Sequence, residues 1–335
     1  GLWHCYFIRG ELRRAHDLAE RLVVLAEEHG VPFRRALARR ALGSTLFALG
    51  RFTDATIALD EGIAIDDAAW EDPAHLLLYT EHGGVVCRMY SAWTLWYFGF
   101  PDRAMATMEA ALALCQRLSH PYSLASALAN MALLHNLRRE FDAAGRRADA
   151  AINLANEHRL PQFLEFAMMC RGFALVGVRQ EAEGIAQLRA ALVGWHSRGA
   201  HLHDTLFLGF LSEAHLRAGQ LDDALAALDR ATETAVATGE RYYHAELDRL
   251  RGIVLAETGD ATRAAPWLHR AIDTARGQEA RSLELRAATS LARLWRDQGN
   301  RAQARDLLAS IYSWFTEGFD TADLKGAKAL LDQLE

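Results

Sequence analysis

The sequence predicts an all-α fold: a right-handed superhelical solenoid of about eight antiparallel helix pairs, with a 40-residue period and a C-terminal capping helix. Three observations carry this expectation. A Gly-centred turn, Ala218-Gly219-Gln220-Leu221-Asp222-Asp223-Ala224, recurs at regular spacing. Ala and Leu, both strong helix formers, dominate a chain of 335 residues with only six Pro. Small residues also stand at the same offsets around successive turns.

The turns are expected near residues 10, 50, 99, 139, 179, 219, 259 and 299. The step is 40 residues throughout, except for one step of 49 between Gly50 and Gly99. A repeat of this kind overrides the ordinary division of a long chain into domains of ~150 residues, because a solenoid grows by adding units. Residues 1–335 therefore read as a single repeat domain.

Each pair has the same internal logic. Around Gly259, the first helix of the pair covers Tyr243 to Glu257 and the second runs from Ala261 to about Arg276. Gly252 lies seven residues before the turn; Ala264 and Ala271 lie five and twelve after it. Gly43, Ala55 and Gly62 repeat this around Gly50, and Gly172, Gly184 and Ala191 repeat it around Arg179. Two antiparallel helices on a short turn approach closely only where side chains are small. In the sixth pair, Leu221, Ala224, Leu225, Leu228, Ala231 and Ala235 form one apolar helical stripe. Acidic residues such as Asp102, Asp222 and Asp223 open the second helices, at the positive end of the helix dipole. Links such as Ser119-His120-Pro121, Arg159-Leu160-Pro161 and Gly239-Glu240-Arg241 supply stop signals between pairs.

The nine extra residues fall in an acidic, Pro-containing stretch at about 66–84, starting Asp66-Asp67-Ala68-Ala69-Trp70-Glu71-Asp72-Pro73. This reads as a loop, either a tolerated insertion or a flap over the groove. Residues 321–335 form the capping helix, with Leu324, Ala327, Leu330, Leu331 and Leu334 on its apolar side. No equivalent cap precedes Trp3, Tyr6, Phe7 and Ile8, so the chain reads as a fragment of a larger protein.

The placement of small residues is similar to the tetratricopeptide pattern, whose usual period is about 34 residues. A second resemblance lies in Tyr312-Ser313-Trp314-Phe315-Thr316-Glu317-Gly318-Phe319-Asp320-Thr321-Ala322-Asp323-Leu324-Lys325 and the following Ala327-Lys328-Ala329-Leu330-Leu331. The stretches Arg281–Ala288, Ser290–Trp295 and Gly239–Leu250, and Ala92–Trp96 with Gly99 and Pro101-Asp102, fit the same pattern. They resemble the C-terminal repeat region of bacterial multidomain regulators. Those proteins carry an adenylate/guanylate cyclase or winged-helix domain in front and a central AAA/STAND-type ATPase. The resemblance implies a regulatory or sensory arm that relays ligand or partner state to upstream domains of the same polypeptide. No G-x-x-x-x-G-K-[ST] loop is present, so no nucleotide site is carried over.

In a tetratricopeptide array the first helices of each pair line the concave face. That register puts Met89, Trp93, Trp96 and Tyr97 in the groove from the third pair, and Phe166, Met169 and Phe173 from the fifth. From the later pairs it adds Arg217, Arg249 and Arg293, together with Glu213, Glu246, Arg286, Arg296 and Asp297. An amphipathic peptide, a protein partner or a small anionic ligand would use aromatic anchors at one end and charge-assisted hydrogen bonds at the other. Set against this, the same aromatics at helical spacing also read as core, and the arginines as a solvated, ion-paired face.

The composition narrows the alternatives. A net charge of −6 without a basic stripe argues against direct nucleic-acid binding. No apolar run is long enough for a membrane span, and no signal peptide is seen, so a cytoplasmic location is expected. Cys5, Cys87, Cys115 and Cys170 match no metal or disulfide framework. His201, His203 and Asp204, with His196 nearby, form a poor metal set, since residues at i and i+2 do not share a helical face. No spacing brings a nucleophile to a base, so neither catalysis nor a cofactor is expected. The competing reading is a structural oligomerisation arm with no ligand of its own.

Overall fold

The computed structural model describes residues 1–68 and 82–335. Most of the expected insertion, residues 69–81, lies outside the described residues. The described chain forms seventeen α-helices and no strand. The inner helices are α1 (Leu2–Ile8), α3 (Pro32–Ala48), α5 (Gly83–Tyr97), α7 (Pro121–Leu137), α9 (Pro161–Gly177), α11 (Asp204–Arg217), α13 (His244–Glu257) and α15 (Arg281–Asp297). The outer helices are α2 (Leu12–His29), α4 (Phe52–Ala68), α6 (Pro101–Leu118), α8 (Phe141–Glu157), α10 (Glu181–Ser197), α12 (Leu221–Thr238), α14 (Ala261–Gly277) and α16 (Arg301–Tyr312). The chain ends in α17 (Ala322–Leu334), whose Leu324, Ala327, Leu330 and Leu334 are buried.

The repeat beats twice as fast as the glycines alone suggest. From Gly99 to Gly299 every twentieth residue has a positive φ: Gly99, Ser119, Arg139, Arg159, Arg179, Gly199, Gly219, Gly239, Gly259, Glu279 and Gly299. Gly10, Gly30 and Gly50 keep the same step before the insertion. At most of these turns the next residue's N–H reaches back to a carbonyl five residues earlier, as in Arg51 to Leu46, Gln180 to Leu175 and Asn300 to Trp295. This is the Schellman closure, which satisfies carbonyls a helix end leaves open. All eight turns within a pair close this way; of the turns between pairs, those at Arg159, Gly199 and Glu279 do so, and those at Gly30, Ser119 and Gly239 do not.

Small residues set the distance within a pair. A Cβ added to Gly43 would stand 2.6 Å from Leu59 Cγ, and one on Gly252 would stand 2.7 Å from Leu268 Cγ. The glycine seven residues before each of these turns therefore seats the leucine nine residues after it. Gly172 and Gly184 approach more closely still: a Cβ on Gly184 would lie 2.5 Å from the Gly172 carbonyl oxygen.

The two layers differ in burial. α12 buries one stripe, Ala224, Ala227, Leu228, Ala231 and Ala235. In α11 every residue from Asp204 to His215 is buried, and in α15 every residue from Ser282 to Ala292. The inner helices are covered on their second side because the superhelix meets itself after about five pairs. The Ile8 carbonyl accepts from the N–H groups of His201 (2.8 Å) and Leu202 (3.1 Å). The Ala48 carbonyl accepts from the Arg241 N–H at 2.9 Å, and the Trp96 carbonyl from Ser282 Oγ at 2.6 Å. At the first turn of α6, Glu317 Oε1 accepts from the N–H groups of Asp102 (2.9 Å) and Arg103 (3.0 Å).

Two substitutions test this geometry through urea unfolding midpoints. Gly184→Ala drives a methyl into backbone and should destabilise by about 1–3 kcal/mol. Arg179→Gly relieves a left-handed arginine that is exposed and should stabilise by about 0.5–1 kcal/mol.

Candidate functional site

Self-contact of the superhelix decides where the expected groove residues go. Trp93, Trp96, Tyr97, Met169 and Phe173 do not line an open concave face; each is buried to 2% exposure or less. Trp93 packs on Phe47, Tyr90 and His203. Phe173 stacks on Phe210 with ring centres 3.8 Å apart. Trp96 meets Tyr97 edge-on and carries the Arg286 guanidinium over its ring. These aromatics belong to one buried apolar cluster with Val86, Leu133, Leu206, Leu247 and Leu283. They separate two recesses that share no lining residue.

The first recess, of about 210 Å³, lies among α1, α3, α5, α7, α9, the end of α10 and the link from α10 to α11. Of the expected residues, Met89 and Phe166 line it. Trp3 and Phe7 of α1 stack at 4.9 Å, and Trp3 Nε1 donates to Thr45 Oγ1 at 3.0 Å. Opposite stand Trp195, whose Nε1 donates to the Leu202 carbonyl at 3.2 Å, and His203. Gln162 and Phe163 complete the wall, with Gln162 Nε2 donating to Tyr122 Oη at 2.7 Å. Burial pushes His203 down to about 3, so it is neutral, with Nδ1 2.8 Å from Tyr242 Oη. Burial pushes the adjoining Glu240 up to about 8, against the His203 and Thr205 N–H groups that its oxygens accept.

The second recess, of about 340 Å³, is polar. It gathers the expected Glu213, Arg217, Arg249, Arg286 and Arg293 with Arg139 and Asp323, which were not expected there. Arg139 sits at the α7–α8 turn with φ +63° and places Nη1 2.7 Å from Glu213. Arg217 reaches the same Glu213 oxygen at 2.9 Å. Arg249 grips the fully buried Glu246 with two 2.8 Å bonds. Arg286 pairs with Asp323 of α17 at 2.8 Å, and it also donates to the Leu137 carbonyl. Burial would raise Glu213, but Arg139, Arg217 and Arg249 outweigh it and hold the carboxyl at about 2. Glu246 is likewise held below the usual carboxylate range by Arg249 and Arg286, against its burial. Arg293, at the mouth, has no ion pair or hydrogen bond among the described residues. Partial desolvation and the charges of Arg249 and Arg296 hold its pKa below the usual arginine value.

The histidine set divides. His203 turns to Tyr242 and Glu240, while His196 Nε2 and His201 Nδ1 both meet the buried Asp204, at 2.9 and 3.0 Å. Their ligand atoms lie within 4.8 Å of one another, so these three residues could hold a metal ion. As they stand, the carboxylate is shared by two imidazoles. Cys87, Cys115 and Cys170 are buried, and burial pushes the Cys87 thiol up to about 12.

The residues missed from sequence come from outside the local register. Trp3, Phe7, Trp195 and His203 meet across a whole superhelical turn. Asp323 belongs to the capping helix. Arg139 occupies a position read only as a turn. No helix among the described residues is long and apolar enough to cross a membrane.

His203 gives a pH test. Between pH 6.5 and about 3 the unfolded chain takes up a proton that the folded imidazole refuses. The His203 contribution to stability should therefore fall as pH drops through that window, by up to about 1.4 kcal/mol per pH unit; above about pH 4.5 the proton that folded Glu240 takes up offsets it, so the fall shows between pH 4.5 and about 3. His203→Asn keeps a residue that tolerates its left-handed backbone (φ +68°) and should flatten the slope of urea midpoint against pH.

Comparison with known proteins supports the fold. No protein-family model matches the chain. An uncharacterised protein of Rhizobium meliloti (strain 1021) is 24% identical over 297 residues, covering 87% of this chain but only 28% of its own length. Among solved structures, a Rap protein complexed with Competence and Sporulation Factor aligns over 99% of this chain and 97% of its own, at TM-score 0.61 and 12% identity. Aspartyl phosphate phosphatase F from Bacillus subtilis aligns over 93% and 91%, at TM-score 0.55 and 10% identity. The APC/C hetero-tetramer Cut9-Hcn1 aligns over 96% of this chain and 59% of its own, at TM-score 0.60 and 15% identity. At these identities the likeness is one of fold: the chain is a tetratricopeptide-like helical repeat solenoid.

Proposed function

We propose that the chain is a regulatory repeat domain that binds a peptide or protein segment and does no chemistry of its own. The observation that carries this reading is the position of the first recess. Its walls come from α1 and from the link between α10 and α11, one superhelical turn later. A bound apolar side chain there would touch both turns at once and tighten the joint that the Ile8 carbonyl makes with His201 and Leu202. Occupancy would thereby change the stiffness of the whole superhelix, which is how such a domain passes a signal onward. The Rap protein, similar in fold, was solved with a bound factor, which is consistent with this use of the architecture. The tail of the chain, Tyr312 to Leu331, resembles that of multidomain cyclase and ATPase regulators. On that resemblance the receiving partner is an ATPase domain of the same polypeptide.

Peptides selected from a random library on the whole chain test the site. Their affinity should fall at least tenfold with the double substitution Gln162→Ala, Phe163→Ala, both half-buried in the recess wall. Trp267→Ala, on the outer face, should leave it unchanged. Selected peptides that bind both variants alike would exclude the recess.

One observation favours the reading as an oligomerisation arm. Leu22, Val24 and Leu25 of α2 are exposed at 39%, 58% and 49%. If that face joins two copies, sedimentation should give a dimer that Leu22→Glu, Leu25→Glu converts to monomer. A monomer at all concentrations removes this alternative.

A further inference from the structure

We propose that the arginine recess is a second, separate site, which binds the phosphoryl dianion of a small phosphorylated molecule. The inference stands apart from the peptide reading, since the two recesses share no lining residue.

Charge balance comes first. Five guanidinium groups converge, from Arg139, Arg217, Arg249, Arg286 and Arg293. Three carboxylates answer them: Glu213, Glu246 and Asp323. Two positive charges are left over. On an open surface, solvent would absorb that excess. Three of the arginines, Arg249, Arg286 and the nearly enclosed Arg139 (side chain 12% exposed), face only two buried carboxylates, Glu213 and Glu246, so one excess charge sits where water screens it poorly.

Donors and acceptors then narrow the ligand. Arg249 and Arg286 spend their hydrogen bonds on Glu246, Ser290, Asp323 and the Leu137 carbonyl. They supply field and little else. Arg293 spends none, and it faces the mouth beside Gly326 of α17. Its planar fork suits an oxyanion with two adjacent oxygens. Glu213 Oε2 is buried without a hydrogen-bond partner, although the other oxygen takes Arg139 and Arg217. A carboxylate can only accept, so a ligand filling this recess gains by bringing one O–H. Monohydrogen phosphate matches both demands, with two negative charges and one hydroxyl. A phosphate monoester with a nearby hydroxyl does so too, and the recess of about 340 Å³ leaves room for a small organic part against Phe141.

Titration calorimetry on the whole chain at fixed ionic strength decides the matter, with inorganic phosphate, glycerol phosphate, malonate and chloride as probes. Phosphate or glycerol phosphate should bind one to one, at least tenfold tighter than malonate and with no measurable chloride heat. The tighter of the two phosphates identifies the free ion or the ester as the natural form. Arg293→Ala removes no ion pair, so its melting temperature should match wild type while phosphate affinity falls at least tenfold. Gly326→Asp, which sets a carboxylate beside Arg293, should weaken binding similarly if the alanine variant misfolds. Gln162→Ala, Phe163→Ala should bind phosphate normally, which keeps this result independent of the peptide site. Equal binding of malonate or chloride, or full affinity in both recess variants, would overturn the assignment.

Discussion

The carbonyl ends of the first inner helices are satisfied by donors one superhelical turn away, and the rest of the structure depends on that arrangement. Ile8, Ala48 and Trp96 stand at or next to the last residue of α1, α3 and α5, and their carbonyls accept from residues more than 180 positions further along the chain. An isolated helix pair would leave the Ile8 and Ala48 carbonyls to water, while that of Trp96 would keep the Gly99 N–H. In this chain His201, Leu202, Arg241 and Ser282 meet them, so successive turns lie in contact. The spacing needs every helix-plus-turn unit to have the same length. A twenty-residue beat repeated without error from Gly99 to Gly299 supplies it. Turns that carry Ser, Arg or Glu at the left-handed position cost about 1–2 kcal/mol each in backbone strain. The register is kept even where no glycine is present to make it easy.

Closing the axis sets the chemistry of the interior. Once the turns touch, the space between inner helices must be filled, and aromatic side chains fill it: Phe47, Tyr90, Trp93, Tyr97, Phe173 and Phe210. What remains is an apolar recess beside α1 and a charged one beneath α17. Their contrast follows from their neighbours. The first is walled by rings and by a histidine that burial keeps neutral. The second is walled by arginines whose carboxylate partners are too few.

The solenoid, its inner and outer layers and its cap were legible in the sequence because each rests on local spacing. Gly43 and Gly252 admit Leu59 and Leu268, and each contact spans about sixteen residues. The arginines of the second recess were legible in part. Arg217, Arg249 and Arg293 share a face of consecutive inner helices, and their register follows from the repeat. Arg139 was not legible as a recess residue, because a turn position normally says nothing about where its side chain goes.

By itself, the sequence determined the helices, their pairing and the face each presents to the axis, since periodicity within one pair settles these. It did not determine whether that axis is open. Trp93 on an inner helix is a groove anchor if the next superhelical turn stands off, and core if that turn closes. The tertiary structure decided for closure, through hydrogen bonds between residues about 190 apart in the chain, Ile8 with His201 and Ala48 with Arg241. Contacts at that separation leave no mark on a 40-residue period. They depend on how small rotations between pairs accumulate around the superhelix, and the accumulated rotation turned the expected groove into a core with a recess on either side.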